Sequence, residues 1–410
     1  MLANASRRRF VALLGGAAAL SAAGWSSAKP VLVNKCRVAI PAVLNDSPWL
    51  KQIWDGIDPA QLWDCHVHLA GLGDGGSGIE IGPQLASPLH PLHYAQRLFY
   101  MNAGCAHDAP GKVDQAYVAR LLNLCDAMPA GFKVMLFAFE RFHDGRGDAH
   151  PEHSAFYVPN AWAAQLARDF PARFEWVASL HPYRADAVDR LEAAISGGAR
   201  AVKWLPAAMG MDPADARCDA FYRVLARRGT PLIVHCGEEK AVEGSNTQAL
   251  GNPLRLRRAL DAGVRVVVAH CASLGDDVDD DGKVRRSFDL FLKLMAEPRA
   301  RELLYGDISA ISQRNRQPAI IRTLLERSDL HERLLHGSDY PLPGVVPLTS
   351  PAALARAGLL PRAAVHDLDI LRQHNPLFFD FALKRLLRWQ GHSFSPAVFA
   401  TRRLFAASQA

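Results

Sequence analysis

Short apolar runs recur along the middle of the chain, at residues 62–68, 132–139, 174–180, 199–205, 232–236, 264–270, 303–308 and 333–339. Most are nearly continuous rather than alternating, the pattern of strands covered on both faces. The stretches between them carry apolar residues at i, i+3 and i+4, the period of amphipathic helices. Val284, Phe288, Phe291, Leu292 and Met295 share one stripe, and Phe221, Val224 and Leu225 another that Gly229 and Pro231 bring to an end. Asn252 and Pro253 form the N-cap and first-turn pairing that starts a helix, with Gly263 to stop it. Tyr117, Leu121, Leu122, Cys125 and Met128 predict a helix before the second strand. Eight strands alternating with helices predict an α/β fold closed into a (β/α)8 barrel of the TIM type.

The connections are uneven. Long insertions follow strand one (70–113), strand two (141–160) and strand eight (340–361), at the end of a barrel where active sites are built. Beyond the barrel, Leu368, Leu371, Phe378, Phe381 and Leu386 give a helical period to a C-terminal extension over 367–389. The expected division is a targeting segment over 1–28, an irregular arm over 29–60, the barrel with its extension over 61–390, and a tail over 391–410.

The targeting segment rests on Ser6-Arg7-Arg8-Arg9-Phe10-Val11, an Ala- and Gly-rich apolar run to Trp25, and the small residues Ser26-Ser27-Ala28 before the cleavage point. It resembles a bacterial twin-arginine signal peptide. That resemblance implies export of the folded chain to the periplasm or beyond, often with a cofactor already inside. The apolar run is shorter than the ~20 residues a spanning helix needs, so no stable membrane span is expected after cleavage. With 49% hydrophobic and 21% charged residues, the 410-residue chain has ordinary globular composition. Arg7, Arg8 and Arg9 supply three of the charges behind the net +6, and the remainder is too dilute for a nucleic-acid footprint. Seven cysteines are an odd count with no C-x-x-C pair, so neither a disulfide framework nor a zinc ribbon can be read from them. Cys65, Cys236 and Cys271, each beside a histidine in an apolar run, are expected as small buried thiols.

His66-Val67-His68 closes strand one. Period two puts both imidazoles on one face, which suits two ligands of one divalent ion. Alone the pair is a weak signal in a chain with 16 histidines. Position strengthens it, because His235 ends strand five, His270 ends strand six and Asp339 ends strand eight. The carboxyl ends of a parallel barrel all face one side, so these five groups converge there although they span residues 66 to 339. One such histidine is more often a hydrogen-bonded core residue; the full set on four strand ends outweighs that reading.

The H-x-H after strand one, the histidines after strands five and six, and Gly337-Ser338-Asp339-Tyr340-Pro341 resemble the amidohydrolase superfamily. Within it they resemble the amidohydrolase-related branch that includes aminocarboxymuconate-semialdehyde decarboxylase, resorcylate-type decarboxylases and several lactone hydrolases. Gln373-His374-Asn375-Pro376-Leu377-Phe378 is similar to the Asn-containing stretch that follows the barrel in that branch, and the likeness covers residues 61–381. It implies one divalent ion, zinc above all, held by His66, His68, His235 and Asp339. Such a donor set leaves a net positive, open site that acidifies a bound water. Asp339 would accept that water's proton, and His270, outside the ligand set, would orient the water or stabilise charge on the substrate.

Lys203 faces the barrel amid apolar neighbours, where an unpaired ammonium is unfavourable. The resemblance leaves three roles open: a carboxylated bridge in a binuclear centre, a contact to a substrate carboxylate, or support behind the ligands; a snorkelling structural lysine is a fourth. Glu238 and Glu239, just past His235, are placed to touch substrate, and His181 to line the mouth. His143, Asp144, Asp148, His150 and His153 crowd the loop after strand two, as a substrate lid or as a solvated polar loop. The acidic stretch 277–282 matches half a calcium loop, but Phe288 stands where a bidentate Glu is required, so a solvated turn is expected. Asp307 and Glu332 are expected to serve structure.

The preferred function is an exported metal-dependent hydrolase acting through a metal-bound hydroxide on a carbonyl of a small organic substrate: a lactone, ester or amide. A non-oxidative decarboxylase would keep the same site, with Lys203 holding a carboxylate. An exported barrel without catalysis is the alternative of another class. The expected partner is a small-molecule substrate, and a homo-oligomer is compatible with the sequence without being specified by it.

Overall fold

The computed structural model describes residues 33–240 and 247–406, so the expected signal segment lies outside the described residues. Eight parallel strands carry the architecture: β1 (Trp63–His68), β2 (Lys133–Phe137), β3 (Phe174–Val177), β4 (Val202–Trp204), β5 (Leu232–His235), β6 (Val266–Ala269), β7 (Leu304–Asp307) and β8 (Leu334–Leu335). β1, β2 and β3 form one sheet, and β4 to β8 a second, each strand beside its sequence neighbour. Parallel bridges Ala178 to Val202 and Val67 to Tyr340 make the two seams. The strands therefore follow one another round a ring in chain order, as the apolar runs predict.

The continuous hydrophobicity of the strands has two destinations. Met135, Phe137, Val177, Ala201, Ile233, Val267 and Leu335 form an inner cluster, while Val134, Leu136, Trp176, Val202, Val234 and Val266 join the outer core under the helices. Leu404 and Phe405 belong to the inner cluster, and Thr401 Oγ1 accepts from the Trp63 amide at 2.8 Å. The stretch after residue 390, expected as a tail, thus closes the barrel floor.

Local chemistry explains where elements begin and end. The helix Asp219–Arg228 stops at Gly229, which takes the left-handed conformation (φ 59°) that a side chain would resist. Asn252 accepts from the Leu254 amide at 3.0 Å, but a 3-10 turn, Pro253–Leu256, precedes the helix Arg257–Asp261. Val284 is not on the helical stripe. It is exposed in a hairpin formed by Asp276–Val278 and Val284–Arg286, and the helix starts only at Ser287, whose Oγ donates to Asp277 at 2.6 Å. The C-terminal extension is two helices, Val365–His374 and Pro376–Leu386. Asn375 breaks them: its side chain accepts from the Phe378 amide at 3.0 Å and donates to the Leu124 carbonyl at 2.9 Å.

The arm before β1 is held by Asn34, which exchanges hydrogen bonds with Asn102, and by Ser47 Oγ, which donates to Asp367 at 2.5 Å. A disulfide joins Cys36 to Cys105, 69 residues apart, at the end of the helix Pro91–Ala103. Cys65, Cys236 and Cys271 are free and buried, as expected.

Behind the carboxyl end of β8, the buried Lys384 ammonium donates to the Gly337 carbonyl at 2.6 Å and to Asp380 at 2.5 Å. Burial raises the Asp380 carboxyl to about 7, against the pull of Lys384. Removing the cation leaves this carboxylate without its partner in the core. Lys384→Met is therefore expected to lower unfolding free energy by about 3–5 kcal/mol in denaturant melts; an unchanged midpoint would contradict the pairing.

Candidate metal centre

The histidine pair on β1 owes its direction to a bulge. Cys65 belongs to the inner cluster and Val67 to the outer core, so alternation fails between them, and the β1–β2 register shifts between Asp64 and Val67. The irregularity brings His66 and His68 to the barrel mouth, where both line one cavity. Lys203, His235 and Asp307 reach the interior by ordinary alternation, each two residues past Ala201, Ile233 and Tyr305, which belong to the inner cluster or pack against it.

Three imidazoles are tethered in the same way. His66 Nδ1 lies 2.9 Å from Asp307 Oδ2, His235 Nδ1 lies 3.3 Å from Glu239 Oε2, and His270 Nδ1 lies 2.6 Å from Ser309 Oγ. The Ser309 hydroxyl donates its one proton to Asp307, so it accepts from His270. The Nδ1 atoms of His66 and His270 therefore carry the proton and their Nε2 atoms keep the lone pair, while the Glu239 carboxylate beside His235 Nδ1 favours the same tautomer there. Burial holds all three rings below the usual histidine range, and hence neutral. His66 Nε2 and His235 Nε2 are buried without a hydrogen-bond partner, a costly arrangement unless a cation takes the lone pairs.

Asp339 supplies the negative charge. Its Oδ1 is 3.2 Å from His68 Nε2 and 3.5 Å from His66 Nε2. Burial would raise its carboxyl, but the His68 hydrogen bond and the neighbouring imidazoles outweigh this and hold it below the ordinary value. His66, His270 and Asp339 each offer a ligand atom within 4.8 Å of the others. His68 touches the same carboxylate, and His235 approaches through His270, with ring centroids 5.2 Å apart. All five sequence-predicted groups thus line one cavity, three of them within reach of a single ion. Neutral imidazoles with a carboxylate are the donor set a divalent ion requires, so the residues present fit such an ion.

Two of these side chains sit on strained backbone. His270, Cys271 and Ala272 are left-handed (φ 56°, 50° and 48°), as is Asp339 (φ 63°). Such residues cost about 1–3 kcal/mol each and persist only where surroundings dictate them. Asp307 Oδ1 accepts from the His270 amide at 2.9 Å, and Asp339 N donates to His66 O at 2.8 Å. Asp64 Oδ1 accepts from the amides of His66 (3.2 Å) and Ser338 (2.8 Å), clamping β1 to the loop that carries Asp339. Gly337 is required there: a Cβ would lie 2.7 Å from that of His66.

The cavity has a volume of about 150 Å³. Ile81, Leu85, Met101, Phe139, Phe156 and Leu348 give it an apolar wall, and Lys203, Arg97 and Arg316 give it charge. Lys203 Nζ is buried without a hydrogen-bond partner, 5.1 Å from the Phe137 ring centroid, and burial lowers its affinity for the proton. Arg316 donates to Ser273 at 2.6 Å, keeps a buried unpartnered Nε, and is pulled down to about 10 by burial. Glu238 lines the cavity with its carboxylate 3.2 Å from Lys240, whereas Glu239 lies deeper, against His235.

Other predicted candidates lie elsewhere. His181 does not line the cavity: it stacks on His143 (4.4 Å between centroids), with Nε2 3.1 Å from the Met209 carbonyl and Nδ1 accepting from the Tyr183 amide. The acidic stretch 277–282 is knitted to Arg257, Arg285 and Lys293. Asp307, read from sequence as structural, is instead the partner that orients His66. Its signal was present, since it too ends a strand. Arg97 and Arg316 carried none.

Residues 63–368 match a family model described as Amidohydrolase. No curated protein matches the chain. Among solved structures, it is similar to an uncharacterized TIM-barrel protein from Bordetella bronchiseptica, with 18% identity over 68% of this chain and 86% of that one, at a TM-score of 0.45. A probable 2-pyrone-4,6-dicarboxylic acid hydrolase from Acinetobacter baumannii is 14% identical over 79% and 99%, at 0.41. A 5-carboxyvanillate decarboxylase from Novosphingobium aromaticivorans, solved with bound manganese, is 12% identical over 70% and 89%, at 0.41.

The tethers make a graded prediction for metal affinity, read by competition with a chromophoric chelator. His66→Ala and Asp339→Asn should abolish tight binding, while Asp307→Asn should weaken it about 10- to 100-fold by loosening one ligand, His66, without removing it. Wild-type affinity in Asp307→Asn would remove Asp307 from the centre.

Proposed function

The chain belongs to the amidohydrolase family, whose members are metal-dependent enzymes, and from that premise we propose that it hydrolyses a carbonyl compound, a lactone, ester or amide, bearing an acidic group. The observation that carries this reading is the set of imidazoles held through Nδ1 around the Asp339 carboxylate, with His66 Nε2 and His235 Nε2 buried and unpartnered. His66, His68, His235 and Asp339 would hold one divalent ion, with zinc favoured by the imidazole-rich donor set. Bound there, the ion supplies Lewis acidity to a carbonyl oxygen and lowers the pKa of water toward neutrality.

The remaining steps belong to side chains. Neutral His270 presents a lone pair at Nε2, so it accepts a hydrogen bond from the attacking water and does not donate one to the oxyanion. The water oxygen bonds to the carbonyl carbon while its proton passes to an Asp339 oxygen. Asp339 returns that proton to the leaving oxygen or nitrogen as its bond to carbon breaks, giving acid plus alcohol or amine. Lys203 and Arg316, with no acid within ion-pairing distance among the described residues, attract an anionic substrate, and the apolar wall shelters its carbon frame.

Lys203 also favours a second reading. An unpaired ammonium beside the histidines suits a departing carboxylate, so the same cavity would serve non-oxidative decarboxylation of a small acid. The Cys36–Cys105 disulfide supports export to an oxidising compartment, in keeping with the twin-arginine pattern at the amino terminus.

Metal content and turnover of lactone, ester and aromatic-acid panels test these readings together. His270→Asn is expected to retain its metal and lose about 10²- to 10⁴-fold in kcat. Full turnover in that variant would remove His270 from the reaction, and release of carbon dioxide without hydrolysis would establish the second reading.

A further inference from the structure

The loop after β2 contains a second group of metal-type side chains that the barrel chemistry does not use. His150 Nδ1 lies 2.9 Å from Glu152 Oε1, and its Nε2 lies 3.5 Å from Asp144 Oδ2. The His150 and His153 rings are 5.8 Å apart. One ligand atom from each of His150, Glu152 and His153 lies within 4.8 Å of the other two, so small rotations of exposed side chains would bring them round one ion. We propose that this loop is a second, peripheral site for a first-row transition-metal ion such as zinc, held by the imidazoles of His150 and His153 and the Glu152 carboxylate, with Asp144 beside them.

Three features support the assignment. The donor set, two imidazoles with carboxylates, is the one such ions favour over calcium or magnesium. The backbone that carries it is already shaped. Asp144 Oδ1 accepts from the amides of Arg146 (2.8 Å) and Asp148 (3.1 Å), the His150 amide donates to Phe142 O at 2.9 Å, and Ser154 Oγ ties His150 O to the Phe142 amide. Binding would therefore order side chains rather than fold a loop, which limits its entropic cost. Finally, the site is open to solvent and needs no entry path, since Glu152 and His153 are exposed.

The site has a consequence for the barrel. Phe156, a few residues on, lines the cavity, and its short strand pairs with Glu80–Ile81, so an ion at His150 would brace that wall. A second equivalent of metal would also be no sign of a binuclear barrel centre with a carboxylated Lys203.

The test is zinc titration of the full, untagged protein, with bound metal counted at equilibrium. Wild type should bind two equivalents, the second more weakly. His150→Ala/His153→Ala should lose only the weaker one, and His153→Gln is the milder companion should the double variant fold poorly. Asp339→Asn should keep the peripheral equivalent while losing the barrel one, so failure of the barrel reading and failure of this one are separable. Lys203→Met should keep both. A single equivalent in wild type, a second that survives both histidine changes, or a second that disappears in Lys203→Met would each overturn the proposal.

Discussion

The buried pairing of His66 Nδ1 with Asp307 is the constraint on which the rest of the site depends. A carboxylate at the centre of a barrel is tolerable only when its lone pairs are satisfied. Asp307 meets that demand by accepting from His66, from the His270 amide, and from both the amide and the hydroxyl of Ser309. Those partners come from β1, from the turn after β6, and from the residues just past β7. A single side chain thus fixes the tautomer of one imidazole, the backbone of a second, and the hydroxyl that fixes the tautomer of that second ring. Glu239 repeats the device for His235. The result is two buried lone pairs, on His66 Nε2 and His235 Nε2, that have no hydrogen-bond partner and that an ion would take up.

The strain around the site is legible in the same terms. Left-handed backbone at His270 and at Asp339 is unfavourable, and it persists because Asp307 and Asp64 grip the neighbouring amides from inside the barrel. The support extends outward to Lys384, which anchors the Gly337 carbonyl next to the Asp339 loop. Burial lifts Asp64 to about 6 and Asp380 to about 7, so polar groups behind the ligands are held at a cost that an idle scaffold would have little reason to bear. The cavity continues the pattern, since among the described residues its buried Lys203 and Arg316 have no acid within ion-pairing distance, and much of its wall is apolar.

Much of this could be read in the sequence because a parallel barrel converts strand ends into neighbours. His235, His270 and Asp339 were visible as polar residues terminating apolar runs. The role of Asp307 was missed although it ends a strand in the same manner, because a carboxylate that binds histidine rather than metal has no spacing of its own. The β1 bulge left no trace in the pattern of His66-Val67-His68. The Cys36–Cys105 pair was illegible for a different reason: its partners are far apart in sequence, and only the arm folding back on the helix Pro91–Ala103 brings them together. His143 and His181 looked functional by residue type, yet their stacking and backbone hydrogen bonds make them packed core groups. Val284 fitted a helical stripe by period but lies in the hairpin that precedes the helix.

The account's central claim is that His66, His68 and His235 converge with Asp339 on a metal ion. Anomalous diffraction from crystals of the metal-loaded protein, collected on both sides of the metal's absorption edge, tests it most directly. The account predicts a strong peak at the barrel mouth, within bonding distance of Asp339 and of Nε2 atoms from the β1 and β5 strand ends. A fully loaded protein with no peak among those atoms would contradict it.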